Sequence, residues 1–79
     1  MLDSDIQKLN SIFKSIFDLS EETNVESLSN LSHPSWDSLA QVSLISAIAN
    51  EFCVEIEGSE FEMFTSYRTI KLLLESKGI

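Results

Sequence analysis

Residues 33–52 read HPSWDSLAQVSLISAIANEF, and the way this stretch divides decides the fold. Pro34 keeps His33 out of the helical region and cannot itself sit inside a helix, so a helix can begin only after it. The spacing of Val42, Ile45, Ala49 and Phe52 predicts an amphipathic helix from Ser38 to about Phe52, with those four residues as its inward stripe. Ser38 suits the N-cap, where its oxygen accepts from an otherwise unpaired backbone N–H, and Gln41 completes a Ser-x-x-Gln capping box. That parse leaves a hydroxyl near solvent at the positive end of a helix dipole, where unpaired N–H groups favour a phosphate or another anion.

Working outward, Ile6, Leu9, Phe13, Ile16 and Phe17 recur at helical spacing and predict a first helix from Ser4 to about Phe17, opened by a Ser4–Gln7 capping box. The stretch from Asp18 to Asp37 is rich in Ser, Asn and Glu, and a loop of that length inside a small domain tends to be functional. Val25, Leu28 and Leu31, three apart, are expected to tack it to the core through one helical turn. Cys53 to Glu57 reads as an extended connector with Ile56 pointing inward, and Ser59-x-x-Glu62 as the start of a short helix reaching Phe64. The last helix is expected from about Ser66 to Lys77, with Gly78 in its usual place past the end. The fold class is therefore all-α: one domain over residues 1–79, a small antiparallel bundle of three main helices plus one short helix. The expected core comprises Val42, Ile45, Ile48, Phe52, Ile56, Phe64, Ile70 and Leu74, with Trp36 anchoring the loop.

Seventy-nine residues suffice for one domain, and 43% hydrophobic residues exclude a wholly disordered chain. A net charge of −8 argues against binding a nucleic-acid backbone and toward partners with basic surfaces, although acidity is also a common route to solubility. No apolar run approaches a membrane span and the acidic start lacks a signal-peptide pattern, so no membrane association and a cytoplasmic location are expected. Cys53 is the only cysteine, which rules out an internal disulfide; it is expected to be a small buried or half-buried residue at a helix end. The acidic residues from Glu51 to Glu62 lack the spacing of a calcium loop, and no metal site is expected.

Asp37-Ser38-Leu39 at the head of that helix, in a small acidic chain with a preceding helix, a long loop and a following apolar helix, resembles the acyl carrier and peptidyl carrier proteins. The resemblance covers roughly Ile6 to Leu74. It implies a 4′-phosphopantetheine arm attached to Ser38 by a phosphopantetheinyl transferase, with acyl groups held on its thiol as thioesters. It also implies partners that load and unload the arm: an acyl- or aminoacyl-activating enzyme and an acyltransferase or condensing enzyme. Asp37 and Leu39 would serve recognition, and Leu39, Gln41, Ser46 and Glu51 would face partners. A non-catalytic, free-standing monomer follows from that reading, because the sequence carries no evident linker.

Each residue also has a plainer role. Ser38 serves as an N-cap in most such positions, Asp37 favours the dipole by about 0.3–1 kcal/mol, and His33 fits a turn. A hydrolase using His33, Asp37 and Ser38 is disfavoured, because six neighbouring residues on a turn do not readily give a catalytic triad and no Gly-x-Ser-x-Gly elbow exists. The exposed surface expected along the second helix (Ala40, Gln41, Ser43, Ser46, Ala49 and Asn50) is nearly uncharged. That departs from the general fatty-acid carriers and points to a specialised pathway. An aminoacyl cargo, or a helical interaction module that never carries the arm, remains open at this stage.

Overall fold

The structure is a computed structural model and describes residues 1–79. Three α-helices, α1 (Asp3–Phe17), α2 (Ser38–Phe52) and α3 (Tyr67–Ser76), are joined through two 3-10 segments, Val25–Ser27 and Gly58–Met63. No β-sheet forms; a single antiparallel bridge links Ser29 to Ser66. The fold is thus the small all-α bundle expected. The start of α2 lies by the end of α1, where Trp36 packs on Phe17, while Ser4 and Glu51 line one groove at the other end. These two helices therefore run antiparallel.

Twelve residues are buried, all hydrophobic, and they form one cluster. Leu9, Phe13 and Phe17 come from α1, Leu44 and Ile48 from α2, and Tyr67, Ile70, Leu73 and Leu74 from α3. Val25, Trp36 and Phe64 complete it from the connections. Ile48, Phe64, Ile70 and Leu74 lie in the core as expected, and Ile45, Phe52 and Ile56 are half-buried against it. Val42 is not inward: it is 58% exposed, and Leu44 takes the core position instead. Because α2 is apolar on nearly every side, its spacing offers two stripes about 100° apart, and docking against α1 selects the one containing Leu44 and Ile48.

The helix ends also differ from the expected capping boxes. In α1 the carboxylate of Asp5 accepts from the backbone N–H of Leu2 (3.3 Å), so Ser4 lies inside the helix. At the second 3-10 segment the Glu60 carboxylate accepts from the N–H of Glu57 (2.9 Å), which displaces Ser59 and Glu62 from that role. A carboxylate wins both places because it makes a stronger, charge-assisted bond than a hydroxyl. Ser66 caps α3 by accepting from the Thr69 N–H (3.1 Å). Both α1 and α2 end on left-handed residues, Asp18 (φ 52°) and Cys53 (φ 53°), and Cys53 is exposed, not buried.

The long connection between α1 and α2 is held at several points. The Asn30 N–H donates to Thr65 O (2.8 Å) and the Tyr67 N–H to Leu28 O (3.0 Å), pinning the loop to the head of α3. Val25 is buried and Leu28 half-buried, as expected, whereas Leu31 is 95% exposed and tacks nothing down. No helix is long and apolar enough to cross a membrane.

Two further side-chain contacts help to fix α3 and the residue that follows it. The Tyr67 hydroxyl donates to Asn10 Oδ1 of α1 (2.7 Å), and Lys77 Nζ reaches Glu60 Oε1 (2.9 Å). The Glu57 N–H and then Lys77 hold the Glu60 carboxyl below its ordinary value of 4.5. Because the folded state binds the proton less readily, Glu60 stabilises the fold above that value and the contribution is lost as pH falls through the depressed one. Glu60→Gln should therefore flatten the loss of stability below about pH 4.5 relative to wild type, as read from urea midpoints along an acid series. A double-mutant cycle of Tyr67→Phe and Asn10→Ala should give a coupling of about 1 kcal/mol for their hydrogen bond.

Candidate functional site

The stretch from His33 to Gln41 is built on an aromatic seat. The His33 carbonyl accepts the Trp36 N–H (3.0 Å), closing a turn around Pro34. Trp36, 5% exposed, lies against Phe13 (ring centres 5.5 Å apart, nearly edge-on) and Phe17 (5.2 Å), and Phe17 also meets the His33 ring (5.0 Å). His33 is a turn residue, as expected, and its ring is spent on this packing. Trp36 is the loop anchor, as expected.

The residue after this anchor caps α2. Asp37 Oδ1 accepts from the Ala40 N–H (2.9 Å), and Asp37 O accepts from the Gln41 N–H (2.9 Å). Asp37 is therefore the N-cap, and Ser38 is the first helical residue. The expected Ser38–Gln41 capping box is absent for two reasons: the aspartate binds the free amide more strongly, and the Gln41 side chain is engaged elsewhere. Its Nε2 donates to the carbonyl of Phe61 (2.7 Å) in the second 3-10 segment.

Capping by Asp37 changes the chemistry open to Ser38. Its hydroxyl is not consumed by the cap, its side chain is exposed, and no carbonyl accepts from the amides of Ser38 and Leu39. A phosphodiester on Ser38 Oγ would stand in solvent beside those two amides at the positive end of a 15-residue helix. The residues present fit such a group. Asp37 adds a negative charge beside it, so a cation brought by a partner would be favoured there.

The other expected partner-facing residues divide. Leu39 is 76% exposed, and Ser46 is exposed on the Leu39 flank of α2, about two turns beyond Ser38. Gln41 is half-buried and bonded to Phe61, so its side chain is not free. Glu51 is exposed but lies about 20 Å along the helix from Ser38, in the groove shared with Ser4, Lys8 and Ile12 of α1. Of the nearly uncharged surface expected on α2, Ser43, Ser46 and Asn50 are exposed, whereas Ala40, Gln41 and Ala49 are half-buried. Phe61, 42% exposed, carried no role in the sequence reading. Its only signal was an aromatic residue set among glycine, serine and glutamates.

Compared with models of protein families, with curated proteins and with solved structures, the chain matches none of them.

The cap assignment separates Asp37 from Ser38 directly. Asp37→Ala should cost about 0.5–2 kcal/mol and Asp37→Asn much less, whereas Ser38→Ala should stay within about 0.5 kcal/mol of wild type in thermal or urea unfolding. A Ser38→Ala loss as large as that of Asp37→Ala would return the cap to the serine.

Proposed function

We propose that this protein is an acyl carrier that holds its cargo as a thioester on a 4′-phosphopantetheine arm attached to Ser38. The observation that carries the reading is the division of labour at the head of α2: Asp37 makes the cap, which leaves the exposed Ser38 hydroxyl free beside two unpaired amides. The resemblance of Asp37-Ser38-Leu39 and its surroundings to the carrier proteins supplies the identity of the group. On loading, the Ser38 oxygen bonds to the phosphorus on the pantetheine side of coenzyme A's diphosphate as the P–O–P link breaks and adenosine 3′,5′-bisphosphate leaves. The hydroxyl proton goes to a base of the transferase.

Once in place the arm supplies a thiol for thioester chemistry, and the chain supplies presentation. Trp36 holds the turn before Ser38 against α1, so the attachment point is a fixed post on a folded bundle. A tethered cargo reaches successive enzymes at high effective concentration and is not lost to bulk. In this reading the protein is not itself an enzyme. Its partners are a phosphopantetheinyl transferase, an enzyme that loads acyl groups and a transferase or condensing enzyme that removes them. The nearly uncharged α2 surface favours a specialised pathway over general fatty-acid synthesis.

Incubation with coenzyme A, Mg²⁺ and a broad-specificity transferase, followed by intact-mass spectrometry, should show the phosphopantetheine gain in wild type and none in Ser38→Ala. Unchanged mass with several transferases would sink the carrier reading and leave the helical interaction module.

A further inference from the structure

We infer that Gln41 is a positioning residue: its side chain holds Phe61 beside Ser38, so that Phe61, Val42 and Leu39 form one apolar contact surface for a partner enzyme whose apolar site is ringed by Lys and Arg. This rests on the carrier reading, since the enzyme tested is the one that modifies Ser38.

Four observations carry it. At about 100° per residue, Ser38 and Val42 share a ridge of α2, with Leu39 on one flank and Gln41 on the other. Gln41 crosses to the second 3-10 segment through Nε2–H to Phe61 O (2.7 Å), a link between residues 20 apart in sequence. The backbone of Phe61 therefore lies on the Gln41 flank of α2, one turn from the serine, and Leu39 lies on the other flank. These three residues are half of the large hydrophobics that the fold leaves exposed, at 42% for Phe61, 58% for Val42 and 76% for Leu39.

Charge decides the occupant. Asp37, Glu57 and Glu62 flank the apolar residues in sequence, are exposed and make no ion pair, while Lys14 and Lys77 are tied to Glu21 and Glu60. On a chain of net charge −8 a second copy would bring like charge to the same patch. A surface with an apolar centre and a cationic rim complements it, and encounter would be steered by the field.

The far end of the 3-10 segment is held by Met63, which packs against the core and whose carbonyl accepts from Thr69 Oγ1, while at Phe61 itself the tie to α2 is the Gln41 bond. Replacing Gln41 by Met keeps the bulk and removes the donor, leaving Phe61 unanchored with the core untouched.

The test is steady-state modification of Ser38 by a phosphopantetheinyl transferase with saturating coenzyme A. Phe61→Ser and Gln41→Met should raise the KM for the carrier about 5- to 20-fold with kcat within about twofold, the size expected for losing one aromatic contact. Phe61→Tyr should restore a near wild-type KM. Leu2→Ala, which removes an exposed leucine at the opposite end of α1, should change nothing. The wild-type KM should also rise with salt. If wild type is modified but Phe61→Ser and Gln41→Met keep its KM, the inference is overturned and the Ser38 reading stands. If wild type is never modified, both fall. Concentration-dependent dimerisation abolished by Phe61→Ser would identify a second copy as the occupant and overturn the proposal as well.

Discussion

The contact between Trp36 and the paired rings of Phe13 and Phe17 sets the arrangement of everything around Ser38. In a domain with only twelve buried residues, an indole is a large share of the core. Burying about 150–250 Å² of ring surface is worth roughly 4–6 kcal/mol at about 25 cal/mol per Å². Against this stands a polar cost, for Trp36 Nε1 and His33 Nδ1 are both buried with no protein group to bond. Each such group costs about 1–3 kcal/mol, which offsets much of the gain from the indole alone, and the burial of Phe13 and Phe17 against it supplies the rest. The turn is thus held by apolar contact, and its polar atoms are carried along.

From that seat the geometry of α2 follows. With the turn fixed at Trp36, the next residue must end the loop and open the helix, and Asp37 does both by capping Ala40. Ser38 then falls one position inside the helix, exposed and uncommitted. The acidity of the chain works outward: of its 13 carboxylate side chains, Glu21, Glu60 and Glu75 pair with cations, so the surface field is largely uncompensated. The apolar residues near Ser38 sit in that field, a combination suited to brief, steered encounters.

Much of this was legible in the sequence. Pro34 marked where α2 could not begin, the spacing of Leu9, Phe13 and Phe17 marked the face of α1, and Trp36 in a polar loop announced an anchor. Three things were not. The spacing points to Val42 as inward because an almost wholly apolar helix has no single stripe, and only its neighbour chooses between two. Spacing also favours Ser4, Ser38 and Ser59 as caps, but nearby carboxylates at Asp5, Asp37 and Glu60 compete better for an amide, and spacing does not weigh that competition. The bond from Gln41 to Phe61 is tertiary and leaves no periodic trace, so the sequence does not show the second 3-10 segment meeting α2 at Gln41.

The dependence of the Ser38 region on the aromatic seat can be measured residue by residue. Native-state amide exchange on Trp36→Leu should show the amide of Ala40, and that of Gln41 beside it, exchanging at least about tenfold faster relative to wild type than those of α3, because the seat acts first on the start of α2. Equal acceleration in α2 and α3, or none at the start of α2, would contradict the claim that Trp36 holds Ser38 in place.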